Sequence, residues 1–388
     1  MSATKDDTIA AHLKRCGTSR REFMTFCGKL MIVAPFGLAI TEFLGVNAVA
    51  AEIGSARRPS VIWLHMQDCT GCSETLLRPS QPDLATVIFD VLSLDYHETV
   101  MAASGSDAEA ALHDAMREND GKYVLVVEGS IPLKDDGKFL KLAGKWGVDV
   151  LREVADHSAA VISIGSCASW GGIPSSGPNP TGAVGVDSII KNKPVVNIPG
   201  CPPNPYILLG TVLQYAKTGT LPALDDKKRP KFAYDRLIHE HCPRRPHFDA
   251  GRFAKVFGDE GHRSGYCLYR LGCKGPVTHS SCSTRHFNEI VDAWPVGIGA
   301  PCFGCAEQFV GYTIPAFQTV PISQATPAVS YPPVENTKGV VQATATGVAG
   351  LAGGILLGAG YVAARKFSTK PGDESAPGTT ETTEGESK

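Results

Sequence analysis

Net charge is almost missing from this chain: 37 Lys and Arg stand against 39 Asp and Glu in 388 residues. Without a basic excess there is no electrostatic footprint for a polyanion, so nucleic acid is not an expected partner. Also missing is any GxGxxG or P-loop behind an apolar run, which removes the signature by which an α/β sheet cradles a nucleotide's phosphates. The regular pattern fades after about Leu221, and from Lys227 to Val320 long apolar periods are scarce and the chain is rich in Pro, Gly, Cys and His instead. A segment so poor in core-forming residues needs disulfides or metals to hold it. Cysteine is what the chain has in excess, 12 residues of it, beside 41 Gly and 27 Pro. Hydrophobic residues still make up 43% of the sequence, enough for a sizeable core and two or three domains.

Between Ser60 and about Gly219 apolar runs alternate with helical segments. The runs are Val61–Leu64, Val87–Leu94, Tyr123–Val127, Ala159–Ile164 and Val195–Ile198. Ser106 and Glu109 read as a capping box that opens a helix ending at Gly121. Such alternation predicts a doubly wound, flavodoxin-like parallel sheet. Three runs end in cysteine: SVIWLHMQDCTGC carries Cys69 and Cys72, AAVISIGSC carries Cys167, and PVVNIPGC carries Cys201. Carboxyl ends of neighbouring parallel strands converge on one crevice, so four thiolates are expected to meet there. Zinc and an iron–sulfur cluster both suit such a set. The CxxC pair alone reads equally well as a redox dithiol or a disulfide. One close pair plus two distant singles favours a cluster over a structural zinc.

Both ends of the chain carry targeting signals. Ser19-Arg20-Arg21-Glu22-Phe23-Met24, an apolar run from Leu30 to Ile40 and Ala48-Val49-Ala50 resemble a twin-arginine export signal over residues 1–51. The apolar run of about 11 residues is short of the roughly 20 that a spanning helix needs. Residues 340–364 are uncharged and mostly apolar, flanked by Lys338, Arg365 and Lys366, which predicts a transmembrane helix. Its many Ala and Gly leave a buried amphipathic helix as the alternative. The Ser/Thr/Glu-rich tail 365–388 is expected to be disordered, and the basic cluster places it in the cytoplasm.

Six stretches in order, DCTGCSE, GSCASWGG, NIPGCPPNP, HEHCPRRPHF, GYCLYRLGCKGPVTHSSC and WPVGIGAPCFGC, give the chain a family likeness. It resembles the small, electron-transferring subunit of membrane-bound nickel–iron uptake hydrogenases over roughly residues 57–320. The resemblance implies a flavodoxin-like domain at 52–220, an irregular iron–sulfur domain at 221–325, a linker at 326–339 and the anchor at 340–364. It also implies three clusters. Cys69, Cys72, Cys167 and Cys201 match a proximal [4Fe–4S] centre, Cys282, Cys302 and Cys305 a medial [3Fe–4S] centre, and His239, Cys242, Cys267 and Cys273 a distal [4Fe–4S] centre.

Ten cysteines remain once Cys16 and Cys27 of the leader are set aside, and these sets use all of them. At the medial centre Pro295 stands where four-iron relatives carry a fourth cysteine. Gly71 and Gly172 stand where oxygen-tolerant relatives carry extra cysteines, which implies an ordinary proximal cluster. No catalytic residue is expected on this chain, because the nickel–iron site belongs to a separate large subunit. The implied partners are that large subunit and a membrane cytochrome b or an equivalent quinone-linked subunit. The body would lie on the periplasmic side of the inner membrane, held by a single span. Asp68 and Glu74 flank the CxxC as candidates for a proton relay or for contact with the large subunit, although exposed acids are more often merely solvated. Two other readings stand beside this one. The first is an iron–sulfur subunit of another membrane complex, related to quinone reductases, although those relatives lack the region from His239 to Cys305. The second is a secreted structural protein with five disulfides.

Overall fold

A computed structural model describes residues 58–79, 87 and 91–322. The expected leader, linker, membrane helix and tail lie outside them. Among the described residues no helix is long and apolar enough to cross a membrane.

Five strands form one parallel sheet: β1 Ser60–His65, β2 Ser93–His97, β3 Val124–Glu128, β4 Ala160–Ile164 and β5 Val195–Ile198. Their order is β2-β1-β3-β4-β5, the flavodoxin-like order. Every neighbouring pair is parallel, with Val61 beside Val124, Val124 beside Ala160 and Val161 beside Val195. Side chains alternate across the sheet. Val61 and Trp63 therefore join one core, with Val126, Ile164 and Val196, while Ile62 and Leu64 join the other, with Leu125, Val127 and Val161.

Helix α5, Pro205–Thr218, covers the first face, and helices α2, Ser106–Glu118, and α3, Gly147–Asp156, cover the second. The sequence dictates both ends of α5. The Asn204 side chain accepts from the Tyr206 N–H at 3.0 Å and Pro205 opens the first turn. Gly219 closes it with a φ of 68°.

Two expectations need correction. Of the expected strand at Val87–Leu94, only Ser93 and Leu94 lie in a strand among the described residues, since β2 begins at Ser93 and continues to His97. Val87 and Val91 are both buried in the same core, and the Leu92 N–H donates to Val87 O at 2.9 Å. Ser106 and Glu109 form no capping box. Gly105 is the cap residue, no side chain caps the helix, and Glu109 N–H bonds to Gly105 O.

Beyond α5 the chain changes character. The longest helix described between 221 and 322 is Arg245–Asp249, five residues. A small third core gathers Ile238, Ala254, Leu268, Leu271, Trp294 and Val296 around cysteines. This part packs directly on the sheet. Tyr234 OH donates to Pro199 O at 2.7 Å, and Ser166 Oγ donates to Cys305 O at 2.7 Å. Glu307, almost fully buried, takes Lys227, Arg229 and His279 as partners; burial raises its pKa, but hydrogen bonds from His279 and Lys227 and the charge of Arg229 outweigh it and hold the carboxyl well below the usual carboxylate range.

Candidate metal centres

The first site is built from the carboxyl ends of β1, β4 and β5. After β1, Thr70 adopts a left-handed turn with φ of 62° and helix α1, Gly71–Leu76, begins at once, carrying Cys72 inward. Helix α4, Gly165–Trp170, leaves β4 through Gly165 with φ of 84°. A Cβ on Gly165 would lie 2.5 Å from Cys72 Sγ, and one on Gly172 would lie 2.6 Å from Cys167 Sγ. One on Gly71 would lie 3.1 Å from Cys69 Sγ. Glycine is what lets these backbones close on the sulfurs.

Burial first, then Glu128, then the neighbouring Cys167, Cys201 and Cys69 push the Cys72 thiol well up. Cys167 is pushed to about 11 by burial, against a backbone N–H, with Cys201 and Cys69 adding to the rise. The four sulfurs therefore share one locality. Cys69 and Cys201 are exposed there.

Glu128, at the end of β3, closes the floor of this site. It is 1% exposed. Its Oε1 accepts from the Cys72 N–H at 2.9 Å. Its Oε2 accepts from the Ser73 N–H at 3.0 Å, Ser73 Oγ at 2.6 Å and Trp63 Nε1 at 3.2 Å. Ser73 Oγ also stands 3.1 Å from His97 Nε2 and 3.4 Å from His65 Nε2, while His65 Nδ1 meets Asp68 Oδ2 at 2.5 Å. Burial, then the charge of His65, pushes His97 down to about 3. Burial pushes Glu98 up to about 7, against His65. None of Ser73, His65, His97 and Glu128 stands out in the sequence. The one available signal was Glu128, an acid closing a wholly apolar strand. Asp68 is tied into this network, whereas Glu74 is exposed and paired loosely with Arg78 at 3.9 Å.

His239, Cys242, Cys267 and Cys273 line one cavity, with Ile238 and Leu268 among its walls. His239 is 5% exposed, packs edge-on against Phe248 at 4.5 Å, and its Nε2 has no hydrogen-bond partner. Burial, then Arg245, pushes it down to about 4, so the ring is neutral and free to donate a lone pair. Cys282, Cys302 and Cys305 lie between the other two groups. Cys305 is pushed up to about 12 by burial, then by Cys282 and Cys201. Cys302 is raised by burial, then by Cys273 and Cys305, and its N–H donates to Cys273 Sγ at 3.3 Å. Pro295 is exposed between the buried Trp294 and Val296.

None of the ten described cysteines forms a disulfide. Buried thiols with raised pKa values stay protonated and inert unless a cation draws off the proton. A cavity lined by three thiols and an imidazole nitrogen lacking a partner fits iron well. The residues present therefore suit the clusters that the resemblance implies.

Comparison with known proteins agrees with this architecture. Residues 69–215 match the family model for the 20 kDa subunit of NADH ubiquinone oxidoreductase, and residues 234–317 match that for the C-terminal part of the NiFe/NiFeSe hydrogenase small subunit. The chain is 46% identical to the hydrogenase-2 small chain of Escherichia coli K12 over 374 residues, 96% of this chain and 98% of that one. It is 47% identical to the quinone-reactive Ni/Fe-hydrogenase small chain of Wolinella succinogenes, over 76% of this chain and 82% of that one. Among solved structures, the [NiFeSe] hydrogenase of Desulfovibrio vulgaris Hildenborough matches with a TM-score of 0.62 and 38% identity, covering 68% of this chain and 99% of that one.

Fold and matches together define an electron-transfer protein with a parallel α/β sheet. The chain belongs to the family of nickel–iron hydrogenase small subunits, and is a component of a hydrogenase oxidoreductase complex. Small subunits of this family carry iron–sulfur clusters and pair with a large subunit.

Proposed function

We propose that this chain carries electrons from hydrogen oxidation on the large subunit to a membrane acceptor. In this reading Cys69, Cys72, Cys167 and Cys201 hold a proximal [4Fe–4S] cluster, Cys282, Cys302 and Cys305 a medial [3Fe–4S] cluster, and His239, Cys242, Cys267 and Cys273 a distal [4Fe–4S] cluster. The observation that carries it is the sequence of neighbouring sulfurs. Cys201 of the first group faces Cys305 of the second, and Cys302 of the second faces Cys273 of the third. Bound clusters supply one-electron exchange. The chain's own residues supply ligands, spacing and exclusion of water. Pro295 offers no side-chain ligand, which supports three irons at the medial set. The exposed Cys69 and Cys201 support the proximal group as the one that faces the large subunit.

The same proposal includes export by the twin-arginine signal at 1–51, a span at 340–364 with the tail inside, and a cytochrome b or similar quinone-linked partner. Support comes from the sequence patterns at the two ends and from the Wolinella relative, whose name records it as quinone-reactive. Purification of the complex in mild detergent, with identification of its other chains and of its metals, tests the whole. A nickel-containing large subunit and about 11 iron atoms on this chain are expected. A complex without nickel would instead favour an iron–sulfur subunit of some other membrane electron-transfer assembly.

A further inference from the structure

Lys274 is the only lysine among the buried described residues, with no exposed surface. It follows Cys273 directly, and its N–H donates to Cys302 O at 2.9 Å. Its stem then runs along the loop between Cys302 and Cys305. A Cβ on Gly304 would stand 3.1 Å from Lys274 Cδ, and the ammonium lies 5.8 Å from the centre of the Phe303 ring. The side chain thus starts beside one cysteine group and passes the loop of another before its ammonium ends on backbone carbonyls.

Nζ donates to Ala316 O at 2.8 Å, Pro315 O at 2.9 Å and, more weakly, Gly272 O at 3.5 Å. Three carbonyl acceptors match the three donors of an ammonium, whereas a neutral amine would turn its lone pair on a carbonyl. No carboxylate among the described residues forms an ion pair with it. A buried charge without a partner is strongly unfavourable. Metal bound by the thiolates of Cys273 and Cys302, between which the lysine backbone is held, would supply an anionic partner.

We propose that Lys274 is the built-in counter-charge of the medial and distal centres, raising their potentials by stabilising the state that holds the extra electron. This rests on the ligand sets proposed above. Each electron makes a centre one unit more negative, so a fixed cation between them favours reduction. The medial centre is the one to read out, because the lysine stem runs along the loop between Cys302 and Cys305.

The test is a redox titration of the whole complex followed by electron paramagnetic resonance, in Lys274→Met, Lys274→Gln and Lys274→Arg. At the parent's medial midpoint, the reduced-to-oxidised ratio should fall about tenfold in both neutral variants, 59 mV for a one-electron couple. The arginine variant should stay near the parent. Neutral variants with full iron that titrate at the parent's potential overturn the proposal. Loss of iron in the neutral variants alone, with Arg retaining iron and midpoint, supports it, since charge and not shape is then what the site requires. Loss of iron in all three overturns it in favour of a packing role. Absence of a three-iron signal from the parent complex would bring down the ligand sets first, and this proposal with them.

Discussion

Glu128 offers the sharpest test of how the first site is held. Its carboxylate takes four donors, three on Oε2 and one on Oε1. In Glu128→Gln the best amide orientation keeps the oxygen towards Trp63 and Ser73 and turns the NH2 against the Cys72 N–H. One backbone donor is then orphaned, at a cost of about 1–3 kcal/mol. In Glu128→Ala the Trp63, Cys72 and Ser73 N–H donors lose their partner while Ser73 Oγ keeps His97 Nε2 within reach, and even with water entering from the side of the exposed Cys69 the cost should reach roughly 4 kcal/mol or more. At roughly 2–4 °C per kcal/mol, the glutamine variant should melt several degrees lower and the alanine variant lower still. The assay is thermal unfolding of the anaerobically purified complex by circular dichroism, with iron counted in parallel. An alanine variant that melts within about 1 °C of its parent and keeps full iron would refute the idea that Glu128 anchors the Cys72 loop.

Three other outcomes follow from the same geometry. His239→Cys should keep the distal cluster and lower its potential, because a thiolate adds negative charge; His239→Ala should slow hydrogen-dependent dye reduction about 10- to 100-fold, and unchanged rates and spectra in both would return the residue to a packing role. Gly172→Ala forces a Cβ to within 2.6 Å of Cys167 Sγ and 2.7 Å of its backbone at a φ of 53°, so proximal iron should be lost, whereas Gly71→Ala, with a 3.1 Å contact and no left-handed φ, should be tolerated better. His97 has its pKa lowered from 6.5 to about 3, so the unfolded chain binds the extra proton between those values. Stability from this group is full above pH 6.5 and is lost as pH falls towards 3. Glu98, raised to about 7, acts in the opposite sense between 4.5 and 7. Comparison of the parent with His97→Asn isolates the histidine, and the variant should show the shallower loss of melting temperature between pH 6.5 and 5; parallel curves would contradict it.

Much of the fold was legible because β1, β3, β4 and β5 are buried on both faces and read as short unbroken apolar runs. The error at Val87–Leu94 has a physical source: Val87 and Val91 are four apart, the spacing of one helical face, and they sit beside true strand residues in a single apolar stretch. The misplaced cap has another. Ser106 suits a cap in sequence, but Gly105, at φ 59° and ψ −131°, takes a backbone conformation open mainly to glycine and turns the chain into the helix one residue earlier. Cysteines at strand ends were easy to group, since parallel topology alone brings Cys69, Cys72, Cys167 and Cys201 to one edge. What lay behind them was not. Glu128 is far from Cys72 in sequence, and His65 and His97 look like ordinary strand-end polar residues until β2, β1 and β3 lie side by side. Lys274 carries no pattern at all, because a lone lysine in a Gly- and Cys-rich segment reads as surface.

The first site draws its sulfurs from three separate strand ends, spanning residues 69 to 201. No stretch of nascent chain shorter than that contains it. At 5–20 residues per second of synthesis, on the order of ten seconds separates the emergence of Cys69 from that of Cys201. Iron delivered to the first pair during that interval would meet half a binding site and an unformed sheet. On the ligand set proposed here, loading follows the pairing of β5 with β4, which makes metal delivery at this edge a late event in the life of the chain and ties it to a sheet already assembled.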